Sequence, residues 1–326
     1  MQNRYSTFLK TLFMLLLLQT SLLSDLLTQY RKNGIQHIAK QMDVKLSHPE
    51  YWDVYIKDKD TSFGYIESYK NVLACDKSNS TLTLYMKDAN NSFVITKEYS
   101  AFTGKAKGDK VKEGDLRTPV GVYKLTKKLS KVDSFYGPMA FVTSYPNSYD
   151  KYRGKNGSGI WIHGLPLLQE RDSYTKGCIA INNPSIECLA RNIDINETIL
   201  IISEDEPKKE HPKEELVTVL SQLYAWRYAW LYNDITTYLN FYDKDFIRFD
   251  GMDIDEFSKY KTRIFKKNET KNIIFNRINV IPYPGTGNMY KVTFSETYKS
   301  NSFSFIGDKV LILKLKDNTI KIITEK

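Results

Sequence analysis

One short stretch holds the two residue types that could do covalent chemistry. It reads Ile160-Trp161-Ile162-His163-Gly164, then thirteen residues, then Cys178-Ile179-Ala180-Ile181-Asn182. A thiol attacks a carbonyl only as thiolate, so it needs a base or a cation beside it. Imidazole is the side chain that most readily takes up and returns such a proton near neutrality. Gly177, directly before the thiol, would let the N–H groups of Gly177 and Cys178 approach a developing oxyanion. Gly164 could offer its carbonyl to the second imidazole nitrogen and fix the tautomer without a carboxylate. On residue types alone, an inert buried cysteine beside a strand histidine explains the pair better.

The remaining thiols and imidazoles narrow the choice. There are three cysteines, Cys75, Cys178 and Cys188, with no C-x-x-C, and four histidines, His37, His48, His163 and His211, far apart in sequence. Three thiols cannot all pair within one chain, so neither a disulfide scaffold nor a zinc site is expected, and at least one thiol stays reduced. Cys188 sits with Ile186, Leu189 and Ile193 and reads as a core thiol, and a bond from it to Cys178 would abolish the chemistry. Trp161 shares a strand face with His163, and Tyr174 flanks the site. A substrate wall and simple core packing are both open for them. His37, His48 and His211 receive no role.

The elements that must position this pair are mostly strands. Apolar and β-branched runs predict strands at Tyr51 to Ile56, Val72 to Cys75, Thr81 to Met86, Ser92 to Thr96, Val120 to Leu125, Met139 to Thr143, Ile160 to His163, Cys178 to Ile181 and Thr198 to Ile202. A polar loop, Gln169 to Lys176, joins the histidine strand to the cysteine strand. A helix is predicted from Pro184 to Asn192 with Asn183 as its cap. Residues 203–215 are nearly all charged or Pro and mark a linker. Beyond it, Leu216 to Tyr232 predicts an aromatic-rich helix, with further helix to Tyr242 and over Ile254 to Phe265. Residues 272–323 alternate like long antiparallel strands. Residues 25–42 predict an amphipathic helix whose apolar face packs on the body or on a second subunit, a route to a homodimer.

Residues 1–24 combine Arg4 and Lys10, the apolar run Leu12 to Leu18, and Ser21 to Ser24. That layout predicts a secretory signal, with an uncleaved inner-membrane anchor as the alternative, and places the body in the periplasm. The 326 residues carry a net charge of +9, and removing Arg4 and Lys10 leaves +7 because residues 1–24 hold no acid. A carboxylate-rich wall or an anionic membrane surface suits that charge, whereas export disfavours nucleic acid. The 41% apolar and 26% charged composition is that of folded domains, so two packed domains plus an accessory segment are expected.

The segment resembles the L,D-transpeptidase (YkuD-type) signature, in which His-Gly is followed after a loop by Ser/Thr-His-Gly-Cys and a hydrophobic residue. The matching run here is Thr175-Lys176-Gly177-Cys178-Ile179, and Gly114-Asp115-Leu116-Arg117-Thr118-Pro119-Val120-Gly121-Val122-Tyr123 is similar to the family's Thr-Pro-x-Gly-x-Phe/Tyr strand. Tyr136-Gly137-Pro138 and Tyr145-Pro146-Asn147 are in keeping with it. Two positions depart: Lys176 stands where the family carries a second histidine, and Ala180 where many members carry an arginine. Helices followed by a curved sheet, with Trp226 to Trp230 as a W-x-x-A-W helix, resemble an NTF2-like cone. The resemblance implies an α+β chain: an N-terminal helical segment (25–50), a mostly β YkuD-type catalytic domain (51–203), a linker (204–215) and an NTF2-like domain (216–326).

With that second module, the chain looks like the cell-shape-determining L,D-carboxypeptidases of helical bacteria, which trim the terminal D-Ala from tetrapeptide stems. This implies Cys178 as nucleophile, His163 as base, Gly164 as its orienter, and the Gly177 and Cys178 backbone as oxyanion donors. Trp161, Tyr174 and Lys176 are candidate substrate contacts. It implies peptidoglycan stem peptides as partners, no metal and no cofactor, and leaves a glycan, peptide or protein ligand open for the C-terminal domain. A transpeptidase and a non-catalytic wall-binding protein remain the alternatives.

Overall fold

The computed structural model describes residues 2–167, 172–209 and 211–326, with side chains from Ser24 onward. Helices α1 (Gln2–Leu46) and α2 (Pro49–Ile56) come first, followed by strands β1 (Tyr65–Ile66), β2 (Asn71–Asp76), β3 (Thr81–Lys87), β4 (Phe93–Phe102), β5 (Gly121–Leu129) and β6 (Ala140–Thr143). Then come α3 (Ser148–Tyr152), β7 (Trp161–His163), β8 (Ile179–Ile181), α4 (Asn183–Asn192) and β9 (Thr198–Ser203). The C-terminal part is α5 (Lys213–Leu231), α6 (Ile235–Asn240), α7 (Ile254–Phe265), β10 (Lys271–Pro282), β11 (Met289–Ser300), β12 (Ser304–Lys316) and β13 (Thr319–Glu325). The chain is α+β.

Strands β2 to β9 close a barrel in the order β2-β3-β4-β8-β7-β6-β5-β9. Closure needs two parallel contacts, β2 with β9 and β7 with β8, among otherwise antiparallel pairs. Strand alternation sends Leu73, Leu84, Phe141, Ile162, Ile179, Ile181 and Leu200 into one interior cluster. The residues between them therefore face outward, His163 among them. Helix α4 adds Ile186 and Leu189 to the same cluster. Its cap is Asn182 rather than Asn183: the Asn182 side chain accepts from Ser185 N at 2.9 Å, one residue earlier than the sequence predicted. The Asn183 side chain is thereby left to accept from Leu165 N.

The C-terminal strands β10 to β13 form an antiparallel sheet curved around α5, with Trp226, Tyr238, Phe257 and Phe294 at its centre. Register shifts at Asn276/Asn279 and Ile312/Leu313 supply the bend. The stretch Tyr51–Ile56, predicted as a strand, is helical. Pro49 suits the first helical turn, Glu50 lies near the positive end of the helix, and Trp52 and Ile56, four apart, bury one face against α5. Strand β1 then pairs with β10. Helix α2 and strand β1 thus pack with the C-terminal part, while Asp60 and Phe63 reach the barrel at Phe93, and the first barrel strand is β2.

A third cluster fixes the two units to each other: Val72, Val122, Ile199 and Ile201 on the outside of the barrel meet Ile281, Tyr283, Ile312 and Ile323. Helix α1 is interrupted at Gly34 (φ 78°, ψ 172°). Its end docks through Asp43, 2.7 Å from Arg227, and through the Leu46 carbonyl, which accepts from Trp52 Nε1 at 2.7 Å. Leu27, Tyr30 and Ile35 on this helix stay exposed. No helix among the described residues is long and apolar enough to cross a membrane.

Candidate active site

The parallel pair β7–β8 brings the predicted residues together. Ile162 lies opposite Ile179 and His163 opposite Ala180. Because paired residues of adjacent strands share a face, Trp161, His163, Cys178 and Ala180 all face outward, opposite the buried isoleucines. Cys178, one residue before β8, is a diagonal neighbour of His163 across strands roughly 4.8 Å apart. His163 is 1% exposed and Cys178 half-buried, so the imidazole is fixed while the sulfur meets solvent.

The imidazole is held on two sides. His163 Nδ1 lies 2.6 Å from the Gly164 carbonyl. A carbonyl only accepts, so in the neutral ring Nδ1 carries the hydrogen and Nε2 is the basic nitrogen. The Tyr136 ring meets His163 edge-on, with centroids 5.0 Å apart at 88°, and packs against Trp161 at 5.1 Å. Gly164 is needed for close approach: a Cβ there would clash with the Asn183 side chain and reach 2.9 Å from Pro138 Cδ. Asn183 Oδ1 accepts from Leu165 N at 2.8 Å and pins the turn that follows the histidine.

A tight turn holds the thiol. Thr175 Oγ1 donates to the Cys178 carbonyl at 2.7 Å and accepts from Gly177 N at 2.9 Å. The N–H of Gly177 is therefore engaged inside the turn. Gly177 has φ 136°, and a Cβ on it would lie 2.8 Å from the Arg117 carbonyl, so a side chain there is excluded twice over. Cys178 Sγ lies 3.4 Å from the Gly159 carbonyl.

The segment behind the turn is stapled by Asp115, which accepts from Val111 N, Lys112 N and Arg117 N and pairs with Lys110 at 2.8 Å. Burial raises the Asp115 carboxyl, but these hydrogen bonds outweigh it and hold the group well below the usual carboxylate range. The Arg117 Nε is buried with no hydrogen-bond partner among the described residues.

The flanking candidates separate. Trp161 is half-buried on the outer face against Tyr136. Tyr174 is half-buried with the Lys105 ammonium 4.8 Å over its ring. Lys176 is exposed and forms no ion pair among the described residues. Residues 169–171 of the predicted loop lie outside the described residues. Cys75 is fully buried, and its thiol is pushed up to about 12 by desolvation. Cys188 lies 3.9 Å from Tyr99 Oη, and no disulfide forms among the described residues. Sequence reasoning assigned no site role to Tyr136 or Thr175 and gave Asn183 only the helix cap. Tyr136 and Thr175 lay inside quoted motifs, whereas the role of Asn183 depends on packing between distant segments.

A second concave site occupies the C-terminal domain, a cavity of about 720 Å³ lined by Trp230, Tyr260, Lys261, Glu296, Tyr298 and Lys309, among others. Burial pushes Lys261 down to about 8 and pushes the Glu296 carboxyl up, and Glu296 Oε2 has no hydrogen-bond partner among the described residues. The aromatics of α5 divide: Trp226 is wholly buried core, and Trp230 lines the cavity.

Comparison with known proteins accounts for both units. The L,D-transpeptidase catalytic domain (YkuD) matches residues 70–202, and the Cds6 C-terminal NTF2-like domain matches residues 218–326. The candidate L,D-transpeptidase YafK of Escherichia coli is 30% identical over 111 residues, 34% of this chain and 42% of YafK, so the match spans less than half of that relative. Among solved structures, the helical cell shape determining protein Pgp2 of Campylobacter jejuni is 37% identical with TM-score 0.78, covering 86% of this chain and 99% of that one. Bd1075 of Bdellovibrio bacteriovorus is 28% identical with TM-score 0.64, covering 80% and 92%. The chain therefore belongs to the L,D-transpeptidase (YkuD) family, in an architecture that adds a Cds6-type NTF2-like domain behind the catalytic barrel.

Proposed function

We propose that this protein is a peptidoglycan L,D-carboxypeptidase that removes the terminal D-Ala from tetrapeptide stems and contributes to cell shape. The observation that carries the reading is the outward-facing pair of Cys178 and a buried His163 whose Nδ1 is held by the Gly164 carbonyl. Similarity to a helical cell shape determining protein over nearly the whole of that chain supports the role in shape.

The proposed reaction runs through this pair. His163 Nε2 takes the Cys178 proton, and the thiolate attacks the carbonyl carbon joining the diamino acid's L-centre to D-Ala. The carbonyl electrons move to oxygen, where the Cys178 N–H, and that of Gly177 once shared from Thr175, stabilise the charge. The C–N bond breaks as His163 returns the proton to the leaving amine, leaving a thioester. Water, deprotonated by His163, then attacks the thioester, releasing the tripeptide carboxylate and the Cys178 thiol. Trp161 and Tyr136 wall the approach to the sulfur, Tyr174 borders it, and Lys176 faces solvent beside the turn. Ala180, in place of an arginine after the nucleophile, implies a differently built binding site for the stem.

On this reading the enzyme works on the periplasmic wall, with residues 1–24 as its export signal. The exposed Leu27, Tyr30 and Ile35 of α1 would suit a homodimer contact, and the C-terminal cavity a glycan, peptide or protein ligand. Mass analysis of purified disaccharide-tetrapeptide after incubation tests the reaction. Loss of one alanine with the wild-type chain alone is expected. Cross-linked dimers would make it a transpeptidase, and an unchanged substrate would favour a non-catalytic wall-binding protein.

A further inference from the structure

A groove of about 610 Å³ runs between the barrel and the C-terminal domain and adjoins the cavity inside the cone, with which it shares Arg248, Phe249 and Lys326. Lys291 on β11 lines it and is only 4% exposed. A buried ammonium has three N–H donors to satisfy, and Lys291 makes one described hydrogen bond, to the Val122 carbonyl at 2.8 Å. Burial, with Lys124 nearby, pushes it down to about 7 against the pull of Asp150. Asp150 itself is fully buried and already paired with Lys155 and Arg153. Lys124, Lys151 and Lys326 add three further lysines to the same walls, and Asp308, 3.3 Å from Lys124, is the carboxylate side chain lining the groove. Arg248, on the far wall, is paired with Asp250. An ammonium kept out of water at the wall of this groove, with a single hydrogen bond among the described residues, is arranged to meet an anion.

We propose that this groove is an oxyanion-binding subsite in which Lys291, Lys124 and Lys151 hold a carboxylate of an acidic peptide. That the peptide is a wall stem rests on the function proposed above. The groove is connected to the active-site face. Thr126 on its wall donates to the Val142 carbonyl at 3.2 Å, and Val142 is the cross-strand partner of Trp161. Two strand spacings, about 10 Å, separate the β7 face from β5. Extended peptide covers that span in about three residues. A stem engaged at Cys178, or its neighbour on the same strand, can therefore place an acidic group in the groove. The C-terminal domain then completes a substrate site, because β11 supplies the central cation.

The test is calorimetry on the full-length Cys178→Ala protein near pH 7. The tripeptide L-Ala-γ-D-Glu-diaminopimelate is one ligand and inorganic phosphate the other, each in buffers of different ionisation enthalpy. Tripeptide binding is expected to take up roughly half a proton, because an anion raises a Lys291 that is half-discharged when empty. Lys291→Met is expected to lose that uptake and at least tenfold in affinity, and phosphate is expected to compete. Equal affinity and equal proton uptake in Lys291→Met would overturn the proposal, as would phosphate binding through Lys291 with no tripeptide binding. Should Lys291→Met fail to fold, the more accessible pair Lys124→Met and Lys151→Met carries the test, and unchanged affinity in that double variant overturns it. D-Ala release by the wild-type chain is measured separately. Release together with Lys291-independent binding sinks the groove and spares the enzyme.

Discussion

The outer face of the barrel and the interior of the C-terminal cone both hold ionisable side chains in concave surroundings, but they hold them by different means. Around Cys178 almost every constraint is backbone or a short side chain: the Gly164 and Gly159 carbonyls, the Thr175 hydroxyl, the Asn183 amide and two glycines that admit no Cβ. In the cone, long charged side chains meet on three strands and a helix. Lys261 lies over Trp230, Tyr238 and Phe257, Lys309 reaches Glu325 at 3.6 Å, and Glu325 accepts from Tyr242 Oη at 2.8 Å. The first arrangement fixes the thiol and the imidazole in position with few charged side chains around them. The second keeps desolvated charge in a large space, which suits binding rather than bond breaking.

Substitutions can break this division. Cys178→Ala is expected to lower D-Ala release more than a thousandfold with the circular dichroism spectrum unchanged, because the thiol supplies the bond-forming step and little packing. Retained release would remove the barrel face from the chemistry. Gly177→Ala is expected to cost about 2 kcal/mol of stability or more and about a hundredfold in kcat/KM, since the turn must move off the Arg117 carbonyl. Urea unfolding and steady-state kinetics on the same preparation would check both. Trp161→Ala is expected to raise KM about tenfold while kcat stays within a few-fold, the signature of a binding wall.

On the cone side, Lys261→Met is expected to leave turnover of a small soluble muropeptide within about twofold while changing the pH dependence of stability. Burial lowers Lys261 from 10.5 to about 8, so the folded state binds fewer protons between those values. Stability of the wild type therefore rises with pH from about 8 to 10.5, and the penalty is fully in place below about 8. The methionine variant should be the more stable below pH 8, by up to roughly 3 kcal/mol, with the gap closing by pH 10.5. A constant gap across that range would contradict the buried-charge account. Lys176→Ala is expected to change kcat/KM by less than about threefold, because the side chain is exposed and outside the described ion pairs.

The same contrast explains what could be read from the sequence. The active-site strands were legible because β7 and β8 are short apolar runs with the chemistry at their ends, and the turn residues were legible because only glycine fits them. Tyr51–Ile56 misled because Tyr51, Asp53 and Tyr55 alternate with Trp52, Val54 and Ile56, a pattern that also satisfies a helix once α5 offers a surface to Trp52 and Ile56. Asn182 and Asn183 both suit a cap, and only the meeting of α4 with the turn at Leu165 assigns each its task. The cone's inner charges were not legible. Lys261, Glu296, Lys309 and Glu325 lie on separate elements, α7 and β11 to β13, and nothing local distinguishes them from solvated residues.

The central claim is that His163 makes Cys178 a nucleophile, and the rate of thiol alkylation across pH tests it most directly. Labelling is followed by intact mass and peptide mapping on the wild type, on His163→Asn and on Cys178→Ala. Cys75 is buried with its thiol pushed up to about 12, so Cys188 supplies the background. The account predicts fast, single-site labelling of Cys178 near neutral pH in the wild type, at least tenfold slower labelling in His163→Asn, and only the slow Cys188 background in Cys178→Ala. Equal rates at Cys178 with and without the imidazole would contradict it.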